Sequence, residues 1–346
     1  VAPDDESPAT PWAGEEARCF FELTPERMLD AVEQAGVRTT GRVLQLASME
    51  NRVYQVEIEL DHEPHSASEA FRVAKFYRPG RWSREQILEE HRFLTELVAD
   101  EVPVVEPDEI GDQGTLGEAA GLGIWWTLFP RVGGRAPDEL DHEQLRQLGR
   151  LVARLHITGA AGSAPSRLRL DIETYGYGNL DLLLDAEALP ASVAERYQAL
   201  VEQICEMSAP WFEDVDYQRI HGDCHAGNVL WNDSGPFLVD FDDMVRGPCV
   251  QDLWLLAPGQ DTDAVVRRDA LLEGYEQLRD FDRGTLRLIE PLRGLRLVHF
   301  SAWISKRYED PAFQRAFPDF GTEHYWFEET SALQEVLARV QDSAWG

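Results

Sequence analysis

His221-Gly222-Asp223-Cys224-His225-Ala226-Gly227-Asn228 is followed, twelve residues after Asn228, by Asp240 at the end of the apolar run Pro236-Phe237-Leu238-Val239. Phosphoryl transfer asks for an Asp that accepts or orients a hydroxyl proton, and for an Asn a turn further on that holds one Mg2+. It also asks for a second Asp, placed after a strand, to hold metal across nucleotide phosphates. Asp223, Asn228 and Asp240 stand at those places, and hard oxygen donors are what Mg2+ selects. An Asp-x4-Asn pair alone is a weak signal. With His-Gly before it and a strand ending in Asp after it, chance co-occurrence becomes a poor explanation.

Working outward, the segment upstream turns strand-like: Tyr54, Val56, Ile58 and Leu60 alternate with polar residues, and a third strand runs from Phe71 to Tyr77. Thr24-Pro25-Glu26 predicts a helix start, and Ser83-Arg84-Glu85-Gln86 a capping box with Ile87, Leu88, Leu94 and Leu97 at helical spacing behind it. The Gly-rich tract from Gly111 to Gly123 predicts a hairpin into Ile124-Trp125-Trp126-Thr127-Leu128-Phe129, apolar on both faces and hence a central or inter-lobe strand. Pro130-Arg131-Val132-Gly133-Gly134 breaks it. Beyond that point helical spacing dominates, with helices expected from Asp141, from Ala194, over Leu286–Ile304 and over Ser331–Val340. The expectation is an α+β, bilobal fold. It has an acidic tail over 1–16, a small nucleotide-binding lobe of antiparallel sheet and helix over 17–130, and a mainly helical lobe over 131–346 carrying catalysis and acceptor binding.

Among the basic residues, 30 arginines stand against two lysines, Lys75 and Lys306. Lys75 lies on the third strand, where a compact ammonium suits the α- and β-phosphates of ATP better than a planar guanidinium. Its carboxylate partner is expected on the next helix. Glu90, three residues after Ile87 and four before Leu94, falls on the buried stripe and is preferred to Glu89; Glu85 and Glu89 suit a solvated face. The loop Ala47-Ser48-Met49-Glu50-Asn51-Arg52 lies where the phosphates would be covered and has no Gly-x-Gly-x-x-Gly; Ser48 and nearby amides are expected to donate to phosphate oxygens, with Asn51 or Arg52 assisting. The adenine is expected at main-chain groups near Arg131 and Val132. His221 is expected to be structural, Cys224 an inert buried thiol, and Asp252 a helix cap that braces the catalytic loop. Asp242 and Asp243 are expected to be solvated acids. Arg293, Arg296, His299 and Trp303 are acceptor-side candidates.

The formal charge of −31, from 63 acids against 32 bases without a basic cluster, speaks against a nucleic-acid or anionic-membrane partner. The four cysteines, Cys19, Cys205, Cys224 and Cys249, are scattered, so neither a zinc site nor a disulfide framework is expected. No apolar run reaches a membrane span, and Val1-Ala2-Pro3-Asp4-Asp5-Glu6 is unlike a secretion signal, so a reducing cytoplasm is the expected setting.

His221-Gly222-Asp223 with Asn228, the strand ending in Asp240, and the run Gly247-Pro248-Cys249-Val250-Gln251-Asp252-Leu253, through its Gly247, Pro248, Asp252 and Leu253, resemble the aminoglycoside phosphotransferase and choline kinase-like branch of the protein-kinase-like fold. Glu50-Asn51-Arg52-Val53-Tyr54-Gln55, Lys75-Phe76-Tyr77-Arg78-Pro79 and Gln86-Ile87-Leu88-Glu89-Glu90-His91 are similar to a bacterial family of stress-response kinases, in blocks from about residue 24 to 330. The resemblance implies ATP with Mg2+, a cytoplasmic location and transfer to Ser or Thr hydroxyls of protein. By motif, it implies that Asp223 is the proton acceptor, that Asn228 and Asp240 are Mg2+ ligands, and that Ser48 contacts ATP. A small-molecule kinase acting on an aminoglycoside, choline or another amino-alcohol or sugar hydroxyl is the alternative, with Asp242, Asp243 and Glu290 as acids facing a cationic substrate. A pseudokinase scaffold is disfavoured because Lys75, Asp223, Asn228 and Asp240 are all present.

Overall fold

The computed structural model describes residue 20 and residues 22–345, apart from 67 and 138. The expected acidic tail and Cys19 lie outside the described residues. The chain divides into two compact units. One runs to Leu88 and takes in Glu106–Val132 and Lys306–Phe313; the other comprises Glu89–Val105, Gly133–Ser305 and the chain from Gln314 onward.

The first unit is built on β1 (Thr39–Gln45), β2 (Arg52–Ile58), β3 (Phe71–Phe76), β4 (Gly117–Ala119) and β5 (Ile124–Pro130). They form one sheet in the order β1-β2-β3-β5-β4, and every neighbouring pair is antiparallel. The doubly apolar run is therefore central, with β3 on one side of β5 and β4 on the other. Helix α1 (Pro25–Glu33) starts as expected, the Thr24 hydroxyl accepting from the Arg27 amide. Its Met28, Ala31 and Val32 pack with Val56, Phe76, Ile124 and Trp126 into the core of this unit. Trp126 stacks on Phe76 with ring centroids 6.0 Å apart. A Cβ at Gly117 would come within 2.7 Å of the Trp126 indole, which explains the glycine on β4.

Helix α2 (Arg84–Ala99) carries the expected capping box: Gln86 Oε1 accepts from the Ser83 amide at 2.8 Å, and the Ser83 hydroxyl accepts from the Gln86 amide at 3.3 Å. The second unit is mainly helical. Helices α3 (His142–Ala161), α4 (Gly178–Asp185), α5 (Ala194–Glu213), α6 (Val250–Leu256) and α7 (Thr262–Tyr275) are followed by α8 (Ile289–Ser305), α9 (Pro311–Ala316), which begins among the residues of the first unit, and α10 (Glu323–Trp345). Asp141 caps α3 in a full capping box with Gln144. Two short ribbons interrupt the helices: β6 (Gln218–Ile220) pairs with β9 (Val245–Gly247), and β7 (Val229–Asn232) with β8 (Gly235–Leu238). β8 is the strand expected before Asp240. β6 and β9, three residues each, are too short to leave an alternation in the sequence. Together the ribbons hold both ends of the 221–240 segment. No helix among the described residues is long and apolar enough to cross a membrane.

Candidate active site

The 221–240 segment leaves β6 at His221, whose fully buried ring donates from Nε2 to the Val239 carbonyl at 3.0 Å. Gly222 follows at φ +86°, a left-handed conformation, and a Cβ there would lie 2.2 Å from the Asp243 carbonyl oxygen. Only glycine satisfies both conditions.

Asp252 holds this turn. Its buried carboxylate accepts from the His221 amide at 2.8 Å and the Gly222 amide at 2.9 Å, and His156 Nε2 lies 3.0 Å away. Burial alone would lower the pKa of His156, but Cys249 and the Asp252 carboxylate outweigh it and raise it to about 9. Asp252 thus braces the loop as expected. It lies inside the first turn of α6 and is turned to the loop, so it does not act as that helix's cap. Asp252→Ala would strand two backbone donors and a buried imidazolium. We expect a loss of about 3–5 kcal/mol in stability, read as a lowered denaturation midpoint; an unchanged midpoint would contradict the brace.

Asp223 is the focus of the charges around it. Arg296, on α8, donates from Nη1 to Oδ1 at 2.7 Å. His225 Nδ1 accepts from the Gly227 amide at 3.0 Å, so its ring proton sits on Nε2, 3.4 Å from Asp223 Oδ2. Burial would raise the Asp223 pKa, but the hydrogen bond from His225 and the charge of Arg296 hold it well below the ordinary carboxylate range. The hydrogen bond to Asp223 in turn raises His225. Cys224, between them, is buried, and burial together with the Asp252 and Asp223 charges keeps its thiol protonated, as expected of an inert cysteine.

Asn228 Nδ2 donates to the Asp223 carbonyl at 2.9 Å, which closes the loop and directs Oδ1 the other way, free of that contact. The Val239 amide donates to the Asn228 carbonyl at 3.0 Å, so β7 and β8 bring Asn228 opposite the residue before Asp240. Asp240 is exposed and left-handed, at φ 62° and ψ 66°, a conformation Asp tolerates better than most residues and one concentrated at functional sites. Asn228 precedes β7 and Asp240 follows β8, and amide and carboxylate oxygens are donor types that suit a hard divalent cation.

Asp242 departs from expectation. It is buried, and its carbonyl accepts from Arg167 Nη1 at 2.8 Å. The same arginine donates from Nη2 to Glu90 at 2.9 Å, both side chains buried. Lys75 was the cation the spacing named for Glu90; Arg167 is one it could not show. Glu89, expected to be solvated, is also buried, accepting from the Ser166 and Arg167 amides at 3.0–3.1 Å. Glu290 is buried beside Arg293 and Gln260. Of the acceptor-side candidates, Arg296 reaches Asp223 while His299 contacts Asn179 and Tyr175.

In the first unit Lys75 is 6% exposed on a strand flanked by β2 and β5, with Nζ 4.8 Å from the Tyr77 ring centroid. It is no edge-strand surface lysine. Ser48 lies in the β1–β2 connection, its hydroxyl accepting from the Asn51 amide at 3.3 Å. Arg131 is tied to Gln55 at 2.7 Å and Ser68 at 3.0 Å, while Val132 is exposed.

Residues 42–289 match a family described as the phosphotransferase enzyme family. Stress response kinase A of Escherichia coli strain K12 is 39% identical over 324 residues, covering 93% of this chain and 95% of that protein. Serine/threonine protein kinase RdoA of Salmonella typhimurium strain LT2 is 38% identical over 317 residues, covering 91% and 93%. Among solved structures, amicoumacin kinase hAmiN in complex with AMP-PNP, Ca2+ and Ami superposes with a TM-score of 0.71 at 19% identity, covering 95% of this chain and 96% of that one. A microcompartment-associated aminopropanol kinase gives 0.64 at 19% identity, covering 89% and 94%.

Proposed function

The chain belongs to the phosphotransferase enzyme family, and we propose that within it the protein is an ATP- and Mg2+-dependent serine/threonine protein kinase of the stress-response type, working in the cytoplasm. The observation that carries this is the Asp223 carboxylate, gripped by Arg296 and His225 at the head of a loop that sets Asn228 beside Val239, the residue before Asp240. Asp223 meets the acceptor hydroxyl; Asn228 and Asp240 hold the metal. Lys75 and the loop around Ser48 serve the phosphates, and the main chain at Arg131 and Val132 serves the adenine.

A carboxylate held ionised by two cationic or donor groups is a weak base. That suits phosphoryl transfer through a loose transition state, where the protein contributes mainly positioning and charge. Asp223 therefore orients the attacking hydroxyl and receives its proton late. Mg2+, when bound, neutralises charge on the phosphate oxygens. The fold neighbours include kinases named for amicoumacin and aminopropanol, so the architecture also admits small acceptors. Similarity over nearly the whole chain to a named serine/threonine kinase supports the protein acceptor.

Transfer of label from γ-labelled ATP tests the reaction class. We expect it to stop on treatment with EDTA and to return when Mg2+ is restored. Transfer that survives metal removal would overturn the roles of Asn228 and Asp240.

A further inference from the structure

The connection between β1 and β2 has no glycine with which to mould itself around phosphates, so something else must hold Ala47–Arg52 in shape. Glu50 is buried and meets three arginines. Arg307 approaches Oε2 at 2.7 Å through Nε and donates from Nη2 to Oε1 at 2.9 Å. Arg78 Nε lies 3.2 Å from Oε1 and donates to the Glu50 carbonyl at 3.1 Å. Arg81 Nη1 lies 3.8 Å from Oε2.

The network continues into the loop on one side and down the chain on the other. The Arg78 amide donates to Asn51 Oδ1 at 3.0 Å, and the Asn51 amide donates to the Ser48 hydroxyl. Arg78 Nη2 donates to Asp310 at 3.1 Å, and its guanidinium packs over the rings of Phe20 and Phe313. All these partners belong to the first unit, which is why Lys306–Phe313 groups with a sheet that is complete some 180 residues earlier.

We propose that Glu50 is a positioning residue for nucleotide phosphates: clamped by the Lys306–Phe313 strap through Arg307, and through Asp310 by way of Arg78, it fixes the loop that carries Ser48. The inference rests on the assignment of this loop to the phosphates of ATP. Burial would raise the Glu50 pKa, but Arg81, Arg307 and Arg78 hold it below the ordinary range, so the clamp is charged. Arg78, Arg81 and Arg307 thus converge on the one carboxylate of Glu50. Burial and, after it, the charge of Arg307 pull the Lys306 pKa down to about 8 against the charge of Glu50.

Glu50→Gln keeps the shape and removes the charge that gathers the arginines. ATP affinity, read by titration calorimetry on the full chain, is expected to fall about tenfold, as when an outer-shell partner is lost. Adenosine affinity is expected to stay at the wild-type value. Asp310→Asn, which acts on the loop by way of Arg78, is expected to weaken ATP in the same selective way, and Arg307→Lys to retain part of the wild-type affinity. These two variants carry the test if Glu50→Gln fails to fold. Unchanged ATP affinity in the variants, or equal losses for ATP and adenosine, would reduce the network to a scaffold and overturn the proposal. If wild-type protein binds adenosine but gains nothing from the phosphates of ATP, the phosphate assignment itself fails, and this inference with it.

Discussion

Asp223→Ala is expected to lower the rate of phosphoryl transfer by about 10²- to 10⁴-fold, the range over which a positioned acid or base contributes, while Mg-ATP binds with near wild-type affinity. The split follows from what Asp223 touches. Its oxygens are held by Arg296 and His225, and its backbone carbonyl, which the substitution keeps, is what receives the Asn228 amide. The metal-side geometry therefore survives, and the acceptor loses its orienting carboxylate. A loss in kcat without a matching rise in the ATP dissociation constant is the signature. Full activity would remove Asp223 from the chemistry; a large loss of ATP affinity would place it on the nucleotide side.

Asp240→Asn is expected to have the complementary effect, weakening Mg2+-dependent ATP affinity by about 100-fold or more, above the 10- to 100-fold that loss of an outer-shell partner costs. Asparagine is the informative replacement because it tolerates the left-handed backbone at φ 62°. An alanine would add about 1–2 kcal/mol of conformational strain and blur the result. Nucleotide binding measured without divalent metal is expected to be unaffected by the substitution. If the Mg2+-dependent gain in ATP affinity is undiminished, Asp240 is not a ligand.

Much of this site was legible because its parts lie close in sequence. His221, Asp223, Asn228 and Asp240 belong to one ribbon-and-loop segment, and the turn needs Gly222 for reasons of backbone sterics that hold locally. Asp252 could be anticipated as a brace because it follows a turn and opens a helix. What spacing could not show were partners supplied from a distance. Arg296 lies on a stripe that resembles core, and its attachment to Asp223 depends on how α8 packs. Glu89 looks solvated by period alone and is buried by the Ser166 and Arg167 amides. Arg307 reaches Glu50 across 257 residues. Periodicity reports which face of an element is covered; it carries no information about which charged group covers it.

The acceptor is the point on which the functional conclusion turns. Wild-type protein incubated with γ-labelled ATP and Mg2+ should be offered general protein acceptors in parallel with aminoglycosides and amino alcohols, with Asp223→Ala as the control, and the labelled protein hydrolysed for phosphoamino-acid analysis. Label recovered as phosphoserine and phosphothreonine, absent from the control, is the expected result. Label confined to the small hydroxyl compounds would contradict a protein kinase and make the chain a small-molecule phosphotransferase.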